Sequence, residues 1–240
     1  MKILYKYCNQ LGIVKILGSL ELKLPHISEV NDPLECLPIF YSPDDKDFKK
    51  NCEKEEKQRK NQEEWKQQTL LLSISATAQN TVMWAHYSEK HKGAVIGIDF
   101  NKIIPVSISA LQVKYSKKRP RINILTDIED PFISFNKIVL TKSIEWKYER
   151  EFRAIFDDDY LKDLQQEGSA CLKYFNGKKT WFLRLNPESI REVIFGLYTE
   201  EGLKSAIRKL IERPELQHVK LYQAKESETY TLNLRDLKKQ

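Results

Sequence analysis

The sequence predicts an α+β fold with a mixed, mostly antiparallel sheet and flanking helices. Apolar runs of strand length, such as "TLLLSISA" and "AVIGIDF", are mixed with segments of helical spacing, such as "TEEGLKSAIRKLIER". Strict alternation of strands and helices would indicate a parallel sheet, and its absence favours α+β. At 240 residues the chain can bury a large core, and we expect residues 1–240 to form a single domain.

Composition excludes several classes of protein. Hydrophobic residues make up 41% of the chain, and Gly and Pro number only 8 and 9, which is typical of a globular protein rather than a disordered one. The formal charge of +6 permits a nucleic-acid or nucleotide partner without arguing for one. No apolar run approaches the ~18 residues of a membrane span, and the start lacks a signal peptide, so we expect a cytoplasmic protein without membrane contact. The four scattered cysteines predict neither a disulfide framework nor a zinc site.

The amino-terminal segment is predicted to contain a strand, a helix and a turn. Alternation in "KILYKY" places Tyr5 and Tyr7 on one face of a strand and Lys6 on the other. Asn9 caps the helix predicted over "NQLGIVKILGSLEL", and Gly18 lies near its end. The Asn-Asp-Pro sequence in "PHISEVNDPLE" then predicts a loop.

A change of composition marks residues 44–68, which are rich in Glu, Lys and Gln and nearly devoid of aliphatic side chains. The spacing of these charges supports a solvated helix. We therefore expect a charged helical insertion at about 44–68. A charged interaction surface is the functional alternative.

The remaining elements follow from apolar periodicity. Gly97 interrupts the strand "AVIGIDF" and predicts a bulge or a close approach of another group. "DPFISFNKIVLTK" is predicted as a helix or an irregular connector. The other strands are "TLLLSISA", "ALQVKYS", "YEREFRAIF", "TWFLRL", "REVIFG" and "HVKLYQA", and the other helices are "QNTVMWAHYSEKHKG", "DYLKDLQQEG" and "TEEGLKSAIRKLIER".

The candidate catalytic residues lie in "YEREFRAIF". If this segment is a strand, Glu149, Glu151 and Arg153 share one face while Phe152 and Ala154 share the other. Two carboxylates about 7 Å apart can bind ribose hydroxyls or stabilise a positively charged transition state. The structural alternatives are an exposed Glu–Arg ladder, or a helix in which Glu149 and Arg153 pair at i,i+4.

The helix "MWAHYSEKHKG" supplies further candidates. His86 and His91 are five residues apart, which is poor spacing for two metal ligands on one helical face, so no metal site is predicted. Trp84, His86 and Tyr87 either pack in the core or hold a ring or a phosphate at a pocket edge. No phosphate-binding loop, dinucleotide fingerprint or serine-hydrolase elbow occurs.

The chain resembles the bacterial domain-of-unknown-function family 2971. The blocks that carry the resemblance are "LYKY", "NDPLE", "MWAHYSEKHKGAVIGIDF", "WKYEREFR" and "EVIFG", and they span most of the chain. The family's turn usually carries Phe before Asn-Asp-Pro, where this sequence has Val30. Some relatives are associated with phage resistance or abortive infection, which implies a role in phage defence or as a toxin.

A second resemblance is to the ADP-ribosyltransferase superfamily. It rests on the order of "YKY" in the first strand, the helix after Asn9, and "ERE" in a late strand. The resemblance implies that NAD is the substrate, that Glu151 is the catalytic acid and that Glu149 orients the ribose or an acceptor. The acceptor would be a protein or a nucleic acid. The residues implied to hold NAD are Tyr5, Lys6, Tyr7, Trp84, His86, Tyr87 and Arg153.

Two rival functions remain open at this stage. A non-catalytic defence or regulatory module could bind protein or nucleic acid through the charged insertion, using Lys49, Lys50, Lys57 and Lys60. A nuclease could instead place magnesium on Glu149, Glu151 and Asp99.

Overall fold

The computed structural model describes residues 3–42, 48–103, 108–127, 131–175 and 177–237. Its described strands are β1 (Ile3–Cys8), β2 (Glu21–Leu24), β3 (Ile39–Tyr41), β4 (Leu70–Ser75), β5 (Ala94–Asp99), β6 (Leu111–Gln112), β7 (Lys114–Ser116), β8 (Arg121–Asn123), β9 (Thr141–Ser143), β10 (Glu151–Phe156), β11 (Ala170–Phe175), β12 (Lys178–Arg184), β13 (Ile190–Phe195), β14 (Lys220–Glu226) and β15 (Leu232–Asp236). Its described α-helices are α1 (Gln10–Ser19), α2 (Phe48–Gln68), α3 (Thr81–Tyr87), α4 (Pro131–Val139), α5 (Asp158–Gln166) and α6 (Glu201–Ile211).

An eight-stranded sheet forms the centre of the fold, in the order β15-β14-β13-β5-β1-β4-β10-β6. Its neighbouring strands are antiparallel except for the parallel pair of β13 and β14. A three-stranded antiparallel sheet, β11-β12-β2, and two short parallel pairs, β3-β8 and β7-β9, complete the strands that the structure describes. The predicted α+β class with a mostly antiparallel sheet is confirmed.

The central sheet is covered by apolar groups on both faces. All six residues of β5 are buried. On one face, Leu4 of β1 packs in a cluster with Ile13 of α1 and Ile207 of α6. On the other face, Tyr7 of β1 packs with Trp84 of α3. The predicted alternation of β1 therefore holds, since neighbouring positions along a strand enter opposite faces.

The amino-terminal helix begins where the sequence predicts. The Oδ1 atom of Asn9 accepts from the Gly12 N–H at 2.7 Å and caps α1. The helix ends at Ser19, followed by Leu20 in the left-handed region with φ of 56°. Residues 21–24 then pair with β12 as strand β2, whereas the sequence interpretation placed their start within the helix.

The predicted charged helix is present as α2, Phe48–Gln68, and residues 44–47 lie outside the described residues. Its carboxyl-terminal half is anchored on the fold. The buried amide of Gln62 donates to the Cys36 carbonyl at 2.5 Å, and the Trp65 ring meets Phe135 edge-on at 5.3 Å. Residues 52–68 carry five acidic and five basic side chains, so their charges balance.

The central sheet opens between β1 and β4. β1 pairs with β5 over six residues, but its ladder with β4 contains one partner pair, Tyr5 and Ser75. Beyond that pair the Lys6 ammonium, rather than a backbone N–H of β1, donates to the Ser73 carbonyl at 3.0 Å. We call this gap the β1–β4 opening. Among the described residues, no helix is both long and apolar enough to cross a bilayer.

Candidate functional site

The segment with the two glutamates bends sharply before it becomes a strand. Residues Ile144–Glu149 form a 3₁₀ helix, and Arg150 adopts the left-handed region with φ of 47°. β10 then runs over Glu151–Phe156. The prediction of a continuous strand from Tyr148 is therefore wrong, because the αL residue reorients the chain.

Both structural alternatives for the glutamates are overturned as well. Glu151 and Arg153 are only 4% and 1% exposed, so they do not form a solvent-facing ladder. A helical i,i+4 pair is excluded because Arg153 lies in β10, where it pairs with Glu151 and not with Glu149. The apolar face of the strand does enter the core through Phe152 and Ala154, as expected.

A buried cluster of ion pairs surrounds the two glutamates. The Lys142 ammonium donates to Oε2 of Glu149 at 2.5 Å and to Oε2 of Glu151 at 3.1 Å. The Glu35 carboxylate lies 3.4 Å from the same ammonium. Lys142 therefore joins Glu149 and Glu151, which are two residues apart, to Glu35 from a distant part of the chain.

Arg153 holds the cluster from its inner side. Its Nε donates to Oε1 of Glu151 at 2.8 Å and its Nη2 to Oε2 at 2.9 Å, which is the bidentate geometry of a strong Arg–carboxylate pair. The guanidinium also donates to Glu35 and to the Val139 carbonyl. Three carboxylates thus face two paired cations, which leaves an excess of negative charge within the ion-paired group.

Burial and neighbouring charges shift the pKa values of Lys142 and Glu151 in opposite directions. Burial tends to lower the pKa of Lys142, but the carboxylates of Glu151 and Glu149 outweigh it and raise that pKa. Burial raises the pKa of Glu151, and Lys142 opposes the shift. Burial also lowers the pKa of Arg153. Because both oxygens of Glu151 accept from cationic N–H groups, we assign it the ionised form.

A cavity of about 250 Å³ lies at the β1–β4 opening, with the ion cluster at its floor. β1 and β4 form two of its walls, and the segment of residues 25–35, which includes a 3₁₀ helix at Ile27–Glu29, forms a third. Its lining residues are Tyr5, Lys6, Tyr7, Pro25, Glu29, Val30, Asn31, Asp32, Glu35, Ser73, Ile74, Ser75, Met83, Tyr87, Lys142, Trp146, Glu149 and Glu151.

Tyrosines border the cavity and are tied to its polar groups. The Tyr87 hydroxyl donates to Oε1 of Glu149 at 2.6 Å, and burial together with this bond raises the pKa of Tyr87. Burial and the neighbouring Glu192 carboxylate raise the pKa of Tyr5 to about 12. Tyr7 donates to the Thr77 carbonyl at 2.9 Å. All three phenols are therefore neutral at pH 7.

The structure brings most of the predicted site residues together. Arg153 lies behind Glu151, out of contact with the cavity. The predicted residues that do line the cavity are Tyr5, Lys6, Tyr7, Tyr87, Glu149 and Glu151.

Two predicted nucleotide-binding residues lie elsewhere. Trp84 is fully buried, donates its indole N–H to the Ala78 carbonyl at 2.7 Å, and stacks on His91. It packs in the core because its helix docks on the face of the sheet that carries Tyr7. His86 is exposed on the outer side of α3 and does not line the cavity.

Sequence reasoning missed Lys142 and Glu35, which complete the site. Glu35 is the last residue of the "NDPLE" block, and the family resemblance of this block could have indicated a site residue. The block was interpreted only as a loop because of its Asn-Asp-Pro turn. Asp32 and Asn31 of the same block also line the cavity. Lys142, on the three-residue strand β9, has no periodic pattern around it that could have identified it.

The magnesium alternative is not supported by the positions of its residues. Asp99 lies opposite Ile3 at the far end of β1 and does not line the cavity. Lys142 instead bridges Glu149 and Glu151. Across the described residues, no group of three or more His, Cys, Asp or Glu side chains is arranged to hold a metal ion.

The chain is thus an α+β protein whose central sheet opens over a buried ion cluster. A family model described as "Protein of unknown function (DUF2971)" matches residues 83–154, which include Lys142, Glu149 and Glu151. The resemblance to this family is confirmed over that segment. No curated protein and no solved structure matches the chain.

Proposed function

We propose that the protein is an NAD-dependent enzyme of the ADP-ribosyltransferase type, which transfers ADP-ribose to a macromolecule or to water. The observation that carries the proposal is the convergence of Glu149 and Glu151 at the floor of a cavity bordered by tyrosines. The family resemblance suggests phage defence or toxicity as the biological setting.

The charge of the site suits a reaction that develops positive charge. The group formed by Glu35, Glu149, Glu151, Lys142 and Arg153 carries more carboxylates than cations. In a buried site such fixed charge acts more strongly than it would in water, and it needs no rearrangement during the reaction. A cationic nicotinamide ring and an oxocarbenium-like ribose are therefore better accommodated there than an anion.

Each glutamate has a distinct role in the proposed reaction. NAD would supply the bond between the ribose C1′ and the nicotinamide nitrogen. Glu151 would stabilise the charge on the ribose as that bond breaks and nicotinamide leaves with the bonding electrons. Glu149 would orient the ribose or acceptor and take the proton that the acceptor loses as its bond to C1′ forms. Tyr87 would hold Glu149 in place through its 2.6 Å hydrogen bond.

The size of the cavity limits which part of NAD it could take. A volume of about 250 Å³ is slightly below the ~300–1,000 Å³ of pockets for drug-sized ligands. We therefore propose that it receives the nicotinamide riboside end, between Tyr5 and Tyr87, while the remainder lies over the rim. Lys6 lines the same cavity between Tyr5 and Tyr7 on β1 and would meet the ribose hydroxyls of that end.

Replacement of Glu151 tests the proposal. The Glu151→Gln variant should release nicotinamide from NAD at least ~100-fold more slowly, because one preorganised electrostatic group is commonly worth 10²–10³ in rate. Nicotinamide release, transfer of labelled ADP-ribose to a lysate, and circular dichroism should be measured together. The exposed Glu64→Gln variant is the matched control and should keep full turnover. Equal turnover in folded Glu151→Gln and the parent protein would remove the assignment, and so would an absence of turnover in the parent.

A non-catalytic module that binds protein or nucleic acid through α2 is the second candidate. The observation in its favour is that Gln62 and Trp65 fix one end of a long, exposed, charged helix on the fold. If nucleic acid is the partner, affinity should fall steeply with salt and be lost on neutralising Lys57 and Lys60 together with Lys49 and Lys50. Salt-independent binding, or binding unchanged in this variant, would argue against nucleic-acid recognition by α2.

A further inference from the structure

Two lysines line the same cavity but have opposite surroundings. Lys142 lies within ion-pair distance of three carboxylates. Lys6 donates to the backbone carbonyl of Ser73, and within the described part of the chain no carboxylate lies within 4 Å of its ammonium nitrogen. Lys142 is therefore held as a protonated cation by its carboxylates, whereas the amine of Lys6 has no carboxylate partner among the described residues to keep it protonated.

We propose that Lys6 is a nucleophilic amine that forms a reversible imine with a small, neutral, hydroxylated aldehyde or ketone bound in the cavity. The reaction requires neither NAD nor transfer of ADP-ribose, so this proposal is independent of the proposed function. It assigns a covalent ligand site to a residue that would otherwise only border the pocket.

The position of Lys6 supports this role. Its side chain extends into the β1–β4 opening, where the two strands lack ladder bonds, and it lines the cavity there. Because the side chain is part of the cavity lining, a ligand bound there would lie beside it. The backbone of β1 is held by β5 over its whole length, which fixes the base of the side chain.

The protonation of Lys6 also favours the reaction. Burial lowers the pKa of its amine, while Cys8 and Glu151 oppose the shift. A lower pKa increases the fraction of uncharged amine at neutral pH, and the uncharged amine is the nucleophile. An exposed lysine near 10.4 has about one amine in a few thousand uncharged at pH 7.

The chemical step balances without an added oxidant or reductant. The Lys6 nitrogen lone pair attacks the carbonyl carbon, and the carbonyl π electrons move to its oxygen. Proton transfer from nitrogen to oxygen gives a carbinolamine, from which the hydroxyl leaves as water after gaining a proton. The nitrogen keeps one proton in the resulting iminium, whose positive charge faces the carboxylates at the cavity floor.

The lining of the cavity selects the class of ligand. Glu35, Glu149 and Glu151 repel an anionic substrate such as a phosphorylated sugar. The same carboxylates and the side chain of Asn31 accept or donate hydrogen bonds to hydroxyl groups. A neutral hydroxyaldehyde matches both conditions and is small enough for a cavity of about 250 Å³.

Reductive trapping tests the proposal with a defined probe. The folded protein is incubated at pH 7 with glyceraldehyde and cyanoborohydride, which converts an iminium to a stable secondary amine, and the adducts are mapped by peptide mass spectrometry. We expect Lys6 to be modified at least ~10-fold faster than exposed lysines, because burial lowers the pKa of its amine and increases the uncharged fraction. Lys142 should remain unmodified because its carboxylates keep it protonated.

Two variants and one competitor complete the test. Lys6→Arg removes the amine but keeps a cation, and it should abolish the fast reaction. Lys15→Arg, at an exposed lysine, should leave it unchanged. Glyceraldehyde 3-phosphate should react with Lys6 more slowly than glyceraldehyde. Modification spread over the surface lysines of the folded parent protein, with Lys6 no faster than Lys15, would overturn the proposal whether or not Lys6→Arg folds.

Discussion

At the scale of single residues, the buried ion cluster is less favourable in free energy than an apolar interior would be. Taking several charges out of water costs free energy that ion pairing only partly returns, and apolar side chains of similar volume often stabilise a core equally well. Glu35, Glu149, Glu151, Lys142 and Arg153 are nevertheless all buried. Because the cluster lies beneath a cavity, we infer that it serves binding or catalysis rather than stability.

Lys142 is expected to be the most sensitive position in the cluster. Lys142→Met leaves three buried carboxylates without their shared cation, and this should lower the free energy of unfolding by about 3–5 kcal/mol. Urea denaturation measures the change. Lys60→Met removes an exposed i,i+4 pair with Glu56 and should cost at most about 0.5 kcal/mol. Similar losses in the two variants would contradict the assignment, as would the failure of an added Glu149→Gln to recover part of the loss in Lys142→Met.

The sequence predicted the two glutamates of the cluster but not Lys142. Glu149 and Glu151 were found because two carboxylates in an aromatic segment suggest chemistry. Their shared direction was predicted from strand alternation, but it arises from the left-handed turn at Arg150 and from the bridge through Lys142. Lys142 lies only seven and nine residues before these glutamates, but its contacts depend on the bend between β9 and β10 and leave no periodic pattern in the sequence.

At the scale of elements, the strands and helices with strong apolar periodicity were predicted well. β4 and β5 are buried strands, and α6 buries Ile207 and Ile211 as its spacing predicts. Gly97 does mark a close approach, because a Cβ there would lie 2.5 Å from Cγ of Glu192. The strands β2, β3, β8, β9, β11 and β15 were missed. β2 pairs with the distant β12, whereas β11 and β15 form hairpins with the adjacent strands β12 and β14.

The contact between α5 and β12 is held by one carboxylate. Asp158, in the first turn of α5, accepts from the Trp181 indole at 2.6 Å and pairs with Lys179 at 2.9 Å. Partial burial tends to raise the pKa of Asp158, but these two partners outweigh it and lower that pKa. Because the folded pKa is depressed, the stabilisation is present above the unfolded value of 3.8 and is lost as the pH falls through the folded pKa.

Asp158→Asn should therefore destabilise the protein in a pH-dependent way. We expect a loss of about 1 kcal/mol at pH 7, at the low end for a bond to a charged group because Asp158 is partly exposed. Denaturation of both proteins between pH 7 and pH 2.5 should show the difference shrinking below about pH 3.8. Asp159→Asn alters the same helical turn at a 91% exposed side chain and should change stability by less than about 0.5 kcal/mol. A difference that persists at the lowest pH would contradict this account.

At the scale of the whole molecule, stability should be concentrated around β5. This strand has all six residues buried and pairs with β1 on one side and β13 on the other. Amide hydrogen exchange in β5 should therefore require global unfolding, whereas α2, with its exposed charged face, should exchange through local opening. Exchange measured by mass spectrometry should show β5 as the slowest segment and residues 52–61 among the faster ones. Comparable rates in the two segments would contradict this distribution.

The β1–β4 opening divides the central sheet into two parts whose β1–β4 ladder contains one partner pair, Tyr5 and Ser75, beside the side-chain bonds of Lys6 and Tyr7. Elsewhere in the sheet, ladders such as β4–β10 resist shear through several main-chain bonds. Elastic deformation of the sheet should thus be greatest along this line. A molecule that hydrogen-bonds to both β1 and β4 would replace the missing ladder bonds. The stiffness of the whole sheet would then depend on whether that molecule is bound.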